Sequence, residues 1–207
     1  MDGLLPYFPR ISFFVKALQK GEISVFQNMQ YDKKWHVNRT VVPGSNGLIT
    51  LSIPIVGGRN SKSRFDLIKL DNRYHWQRDH YRTLVSVYGS SPFFNFYEPD
   101  LKKLMDRPFD FLMEWNACCL EWVLSKLRLD RALKIQYHVE CPSEFFQEEI
   151  QQKGKKLPIR DNLNTLFRYQ QVFEDKIGFI EDLSVLDLLF NVGPDSAQKI
   201  KSSLIKL

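Results

Sequence analysis

The stretch HYRTLVSVYGSSPFFNFYEPDL, from His80 to Leu101, gathers a histidine, an arginine and several aromatic rings around a Gly-Ser-Ser-Pro break. Histidine is the side chain best suited to proton transfer near neutral pH. On helical spacing Trp76, His80, Leu84, Val87 and Tyr88 form one stripe, so His80 faces inward. Two readings stand side by side: a core histidine bonded to a carbonyl, or a general base at the edge of a pocket. Arg82 points elsewhere, and Thr83 and Ser86 flank the same helix. Gly89 stops that helix, and Ser91-Pro92 has the residue types that start another, serine as N-cap and proline at the first helical position. Rings at 93, 94, 96 and 97 lie about 100° apart around a helix. They cannot all face one core, so some are expected to be exposed beside His80, as the wall of a pocket.

Three further groups bear on chemistry. Asn38 and Arg39 close WHVNR, and alternation puts them on opposite faces of a strand. The planar fork of an arginine binds two oxygens of a phosphate or carboxylate at once, and Arg39 is equally readable as an exposed strand residue. Asp187 and Asn191 lie one turn apart in LSVLDLLFNVG. Together with Asn116 in the apolar run FDFLMEWNACCLEWVLSKL, they need partners if buried. They either fasten loops or line a pocket. Cys118 and Cys119 read as inert core thiols. No ligand set has convincing metal spacing, and GxGxxG, GxxxxGK[ST] and GxSxG are all missing, so no cofactor is expected.

The 207 residues carry 29 Lys+Arg against 24 Asp+Glu, a net charge of +5. That mild excess suits an anionic small molecule, and without a run of five or six basic residues it makes nucleic acid an unlikely partner. Basic loops at 59–64 and 153–160 keep a tRNA-acceptor partner open. The three cysteines, two of them adjacent, fit a reducing compartment better than a disulfide framework. No signal peptide and no apolar stretch of spanning length is visible, so the expected location is cytoplasmic, with no membrane span.

The elements that must position these groups divide near Tyr74. Before it the patterning has period two. A short helix in ISFFVKALQ ends at Gly21, a strand follows at 23–27, and WHVNRTVVP and LITLSIPIV flank the GSNG turn as a hairpin. FDLIKLD reads as another strand. After Tyr74 the period is that of helices, at 76–88 and 109–127, with one more strand at 133–139. A further helix starts at Ser184 and stops at Gly193, and Pro194-Asp195 opens the last. The fold class is mixed α/β. One sheet, drawn mainly from 22–70 and 133–139, is packed by a mainly helical second half. The chain 1–207 reads as a single domain, β-rich to about residue 72 and mainly helical from about 73.

YFPRISFFVKAL, QYDKKWHVNRT, LSIPI, HYRTLVSVYGSSPFFNFYEPDL and YQQVFEDKIGFIEDLSVLDLLFNVGPDS, in this order over roughly 7–196, resemble the WbqC-like protein family. The strand–turn–helix–strand order of its opening is similar to a Rossmann-like α/β half, with Ile11-Ser12 where the family has a glycine. The resemblance implies a bacterial protein of O-antigen and other surface-polysaccharide precursor biosynthesis. It implies group transfer, acyl or aminoacyl, to a nucleotide-linked amino sugar. In that reading Arg39 and Arg82 hold phosphate or carboxylate, His80 acts as base, and Tyr88, Phe93 and Phe94 stack on a ring. Asn38, Ser86, Ser91, Asp187 and Asn191 complete the binding set. The alternative is a non-catalytic accessory or scaffold protein of the same pathway, with the aromatic corner as a docking patch.

Overall fold

A computed structural model describes residues 3–58, 63–140 and 167–206. Helix α1 (Ile11–Lys20) is closed by Gly21 at φ 78°, a left-handed conformation that glycine adopts without a Cβ penalty. Strand β1 (Glu22–Phe26) follows directly. β2 (Arg39–Gly44) and β3 (Gly47–Ser52) form an antiparallel hairpin across the two-residue turn Ser45-Asn46. Then come α2 (Trp76–Tyr88), α3 (Phe94–Met105), α4 (Leu112–Leu127) and β4 (Lys134–His138). The last described elements are α5 (Glu174–Ile177), α6 (Val185–Val192) and α7 (Ser196–Ser202). The fold is mixed α/β, with small sheets toward the N-terminus and helices in the second half.

The sheet differs from the single one expected. β1 pairs in parallel with β4, β2 pairs with β3, and each pair is a separate two-stranded sheet. Gly3 forms one parallel bridge to Val25 on the other side of β1. The strand–helix–strand unit is therefore present only in miniature, and the described strands do not join into a Rossmann-like sheet. FDLIKLD is not a strand either. Phe65–Leu67 is a 3₁₀ turn, followed by single bridges from Lys69 to Phe111 and from Leu70 to Ile55. Those contacts hold Phe109–Phe111 extended, with Leu70 N–H donating to Asp110 O at 2.8 Å, so α4 begins at Leu112 rather than at residue 109. The helix expected after Ser91-Pro92 begins later, with Phe93 at its N-cap, and Pro99 lies inside it. α2 matches its expected bounds, and its buried residues are the five of the stripe. α6 also begins and ends as read, with Ser184 Oγ accepting from Leu186 N–H and Gly193 as the stop.

At the centre lies an irregular segment, Leu4 to Pro9, buried throughout. A buried loop must satisfy its backbone polar groups inside the protein. Pro6 and Pro9 bring no N–H, which removes two donors from the problem. Tyr7 N–H donates to Val37 O at 2.9 Å. Phe8 O accepts from Thr40 Oγ1 at 3.0 Å and from Ser184 Oγ at 3.1 Å, and Pro9 O accepts from Val185 N–H at 2.9 Å. Asn116, the polar residue of α4, is fully buried and donates Nδ2–H bonds to Leu5 O at 2.7 Å and Val37 O at 2.9 Å. Around this segment Trp115, Phe14, Phe65, Phe94 and Phe190 build an aromatic-rich core.

Replacing Asn116 with Leu keeps a similar volume but removes both bonds. Leu5 O then has no described donor, at a cost of about 1–3 kcal/mol. The expected outcome is an unfolding free energy lowered by that amount, seen as a lower urea midpoint with an unchanged slope in equilibrium unfolding.

Candidate functional site

A cavity of about 230 Å³ opens between the segment before α1, one face of α1, the turn at 33–36 and the β2–β3 hairpin. Helical spacing brings Ser12, Phe13, Lys16 and Lys20 of α1 to its wall. Tyr7, Phe8, Phe13 and Trp35 supply rings, and Arg10, Lys16, Lys20, Arg39 and His36 supply basic groups. Glu22 is the acid among the lining residues, and it accepts from Ser24 Oγ at 3.0 Å.

Arg39 is the centre of this arrangement. It starts β2, is half-buried, and its Nε is buried without a hydrogen-bond partner. Among the described residues no carboxylate pairs with it. Arg10 is 3.9 Å from Asp182, a loose pairing, because the Asp182 carboxylate also takes Ser12 N–H and Ser12 Oγ–H, both at 2.8 Å. Asp182 thereby fills the N-terminus of α1. A phosphate cannot use that helix end, since its donors are taken. His36 is held below its ordinary pKa by burial and by the charges of Arg39, Arg10 and Lys33. Among the described lining residues the basic groups outnumber the one acid, Glu22, an excess that favours an anion.

The residues expected at the site scatter. Arg39 alone of that set lines this cavity. Asn38, on the opposite face of the strand as alternation required, is buried. It donates to Ile53 O at 2.8 Å and accepts from the Tyr31 hydroxyl at 3.4 Å. Arg82 lies in a separate shallow groove of α2 and α3 with Tyr81, Lys102 and Phe109. Ser86 is exposed on α2 and lines neither depression. Ser91 is buried with its Oγ unpartnered. Phe93 braces α3 against the end of α6: its N–H donates to Phe190 O at 3.0 Å, and its ring covers Gly193, where any Cβ would clash with it. Phe94 and Tyr97 turn inward onto Phe190, while Phe96 is 74% exposed. The stretch after Gly89 is a corner, and its rings do divide between core and solvent, but they line neither the cavity nor the groove.

His80 is in the core rather than on a wall, at 7% exposure. Its ring stacks on Tyr7 and meets the edge of Trp76. Burial lowers its pKa to about 4, so it is neutral at pH 7. The Tyr7 hydroxyl lies 3.1 Å from Nδ1, and the Ser52 backbone offers the ring a second hydrogen bond. His80 reaches the cavity only through the ring of Tyr7.

Asp187 is the second buried ionisable group. Tyr169 donates to its Oδ2 at 2.7 Å, and Gln171 links Tyr169 to the backbone of Ile180. The Tyr88 hydroxyl, also buried, has no hydrogen-bond partner, and the nearby Asp187 carboxyl helps to raise its pKa after burial itself. Burial outweighs these donors and raises the carboxyl pKa to about 6. Asn191 is half-buried and donates back to Asp187 O at 2.8 Å. Asp187 therefore fastens the 169–180 segment through side chains. Tyr88, Asp187 and Asn191 form a structural network away from the cavity. Burial also raises Cys118 and Cys119, which fits inert thiols. Among the described residues no three of His, Cys, Asp and Glu converge on a point that could hold a metal, and no helix is long and apolar enough to cross a membrane.

Tyr7, Phe8, Arg10, Phe13, Lys16, Trp35 and His36 were not anticipated at the site. One signal was available for part of it. On a helix running to Gly21, Ser12, Phe13, Lys16 and Lys20 share a face. The small sheets, the buried opening segment and the ring-walled basic cavity define an α/β protein with one basic, aromatic-lined cavity in its N-terminal half. A family model matches residues 6–156, most of the chain and all of the cavity wall beyond Gly3, and the chain belongs to the WbqC-like protein family. The match does not extend over α6, so Asp187 and Asn191 lie outside it. No curated protein and no solved structure shows significant similarity to the chain.

His80 and Asp187 respond to pH in opposite senses. The pKa of His80 falls from an ordinary 6.5 to about 4, so its contribution is complete above pH 6.5 and is lost as pH falls toward 4. The pKa of Asp187 rises from 3.8 to about 6, so its contribution is complete below pH 3.8 and is lost as pH rises through 6. Between about pH 4 and 6 the two effects offset one another in the parent. In Asp187→Asn stability is expected to climb with pH across that range, and in His80→Gln to fall, each by up to about 1.4 kcal/mol per pH unit. Urea unfolding of the three proteins at several pH values checks both signs.

Proposed function

We propose that the cavity binds a nucleotide-linked sugar and that the protein serves surface-polysaccharide precursor assembly in the cytoplasm. Membership of the WbqC-like family supports the pathway. The observation that carries the ligand class is Arg39, a guanidinium with a buried, unpartnered Nε in a cavity that also holds Arg10 and His36. Two cationic forks suit a diphosphate. Tyr7, Phe8, Phe13 and Trp35 give a sugar or base ring an apolar surface. Group transfer to an amino sugar is the reaction class that this ligand and this family suit.

The accessory-protein reading has one observation in its favour. His80, the histidine of the long aromatic motif, is sealed behind Tyr7 and cannot touch a ligand in the cavity without a rearrangement of the core. Exposed Phe96 would then belong to a docking patch. The tRNA reading rests on basic stretches of which 59–62 and 153–160 lie outside the described residues.

Calorimetric titration with UDP-linked amino sugars, UDP and pyrophosphate tests the ligand class. UDP is expected to bind more tightly than pyrophosphate if the rings take part. Arg39→Gln is expected to weaken binding at least ~10-fold, the loss of one charge-assisted hydrogen bond. Arg82→Gln, in the other groove, is expected to leave it unchanged. Equal losses in the two variants would remove the cavity as the site.

A further inference from the structure

His36 stands in a backbone conformation that few residues accept, at φ 52° and ψ 25°. For a residue with a Cβ this costs about 1–2 kcal/mol. The turn holds it there from both sides. Asp32 caps the 33–35 turn by accepting from Lys34 N–H at 2.8 Å. His36 N–H donates to Lys33 O at 3.2 Å, and its own carbonyl accepts from Arg39 N–H at 3.0 Å. The strained turn lines the cavity with Trp35 and His36, directly before Arg39. The imidazole makes no hydrogen bond or ion pair among the described residues.

The charges that face it are unequal. Lys33 comes from its own turn, Arg39 from β2, and Arg10 from the segment before α1. Lys16 and Lys20 line the cavity from α1, and Glu22 from β1. We infer that His36 is the third oxyanion-binding group of the cavity, joining Arg39 and Arg10 around a doubly charged phosphate or sulfate group and taking up a proton as that group binds. The inference rests on the reading of the cavity as an anion site, and it names the part of the ligand that the site reads.

The physical reason is compensation. In the empty cavity burial and three neighbouring cations favour the neutral ring. A doubly charged oxyanion cancels those cations and adds a hydrogen-bond acceptor, so the protonated ring becomes favourable. A singly charged carboxylate supplies half the charge and half the effect. Linkage then gives the sign: affinity for the dianion rises as pH falls through the midpoint of the liganded ring and levels off below that of the free ring.

Inorganic sulfate is the probe, because its own charge does not change across this range. The whole chain is titrated at about pH 5.5 and about pH 7.5, as parent, His36→Asn and Arg39→Gln. Asparagine tolerates the left-handed backbone and so preserves the turn. The parent is expected to bind sulfate at least ~3-fold more tightly at the lower pH, which requires a rise of about half a unit or more in the ring's midpoint. Proton NMR of the parent supplies a readout that needs no stable variant. One of the four histidine C2 protons, the one missing from His36→Asn, is expected to titrate at higher pH when sulfate is added. His36→Asn is expected to bind with little dependence on pH, and acetate to show less than half the parent's effect. Sulfate binding with no pH dependence, or the same dependence in His36→Asn, overturns the role of His36 and leaves the anion site standing. A parent that binds neither sulfate nor pyrophosphate at either pH overturns both.

Discussion

The constraint on which the rest of the structure depends is the burial of an irregular segment, Leu4 to Pro9, in the middle of the core. Irregular backbone carries polar groups that no ladder satisfies, and leaving one unpaired costs as much as a lost hydrogen bond. The surrounding elements each contribute a partner. β2 brings Thr40, the turn leading into it Val37, α4 brings Asn116, and the start of α6 brings Ser184 and Val185. These elements are far apart in sequence, so the segment works as a hub that joins the hairpin, the long helix and the C-terminal helices. Phe8 takes a positive φ of 38° at this hub, a strained value tolerated because its ring and carbonyl are held on all sides.

The same hub makes the cavity. Its inner side faces Trp115 and His80, and its outer side presents Tyr7, Phe8 and Arg10 toward α1 and the 33–36 turn. A rigid wall of this kind suits a binding site, because the rings and cations are placed before a ligand arrives. Two histidines show what position does to one side chain. His80, inside, has found two hydrogen-bond partners and stays neutral. His36, in the cavity wall, has cations for neighbours and no partner of its own among the described residues.

Much of the fold was legible in the residues. The stripe of α2, the stops at Gly21 and Gly193, the cap at Ser184 and the hairpin around GSNG follow from spacing and turn chemistry, which act over a few residues. The requirement that Asn116 and Asp187 find partners was equally visible, because burial of a polar group in an apolar helix carries a known penalty. Their partners were not. Leu5 lies 111 residues from Asn116, and Tyr169 reaches Asp187 from a separate segment. The division of the β residues into two small sheets was hidden for the same reason, since pairing depends on which strands meet and not on their alternation.

The sequence by itself determined the class, the helical faces, the inward direction of His80 and Arg39's place on the face opposite Asn38. Those are local matters of period and residue type. Only the tertiary structure decided which of these groups lines a cavity. An inward stripe reads the same whether it packs on a core or rims a cavity, and His80 and Tyr88 turned out to pack. The cavity draws on segments from Gly3 to Thr50 whose contributions are short and individually unremarkable, a loop, one helix face, a turn and a hairpin. Their convergence is set by the buried segment that joins them, and no periodicity records it.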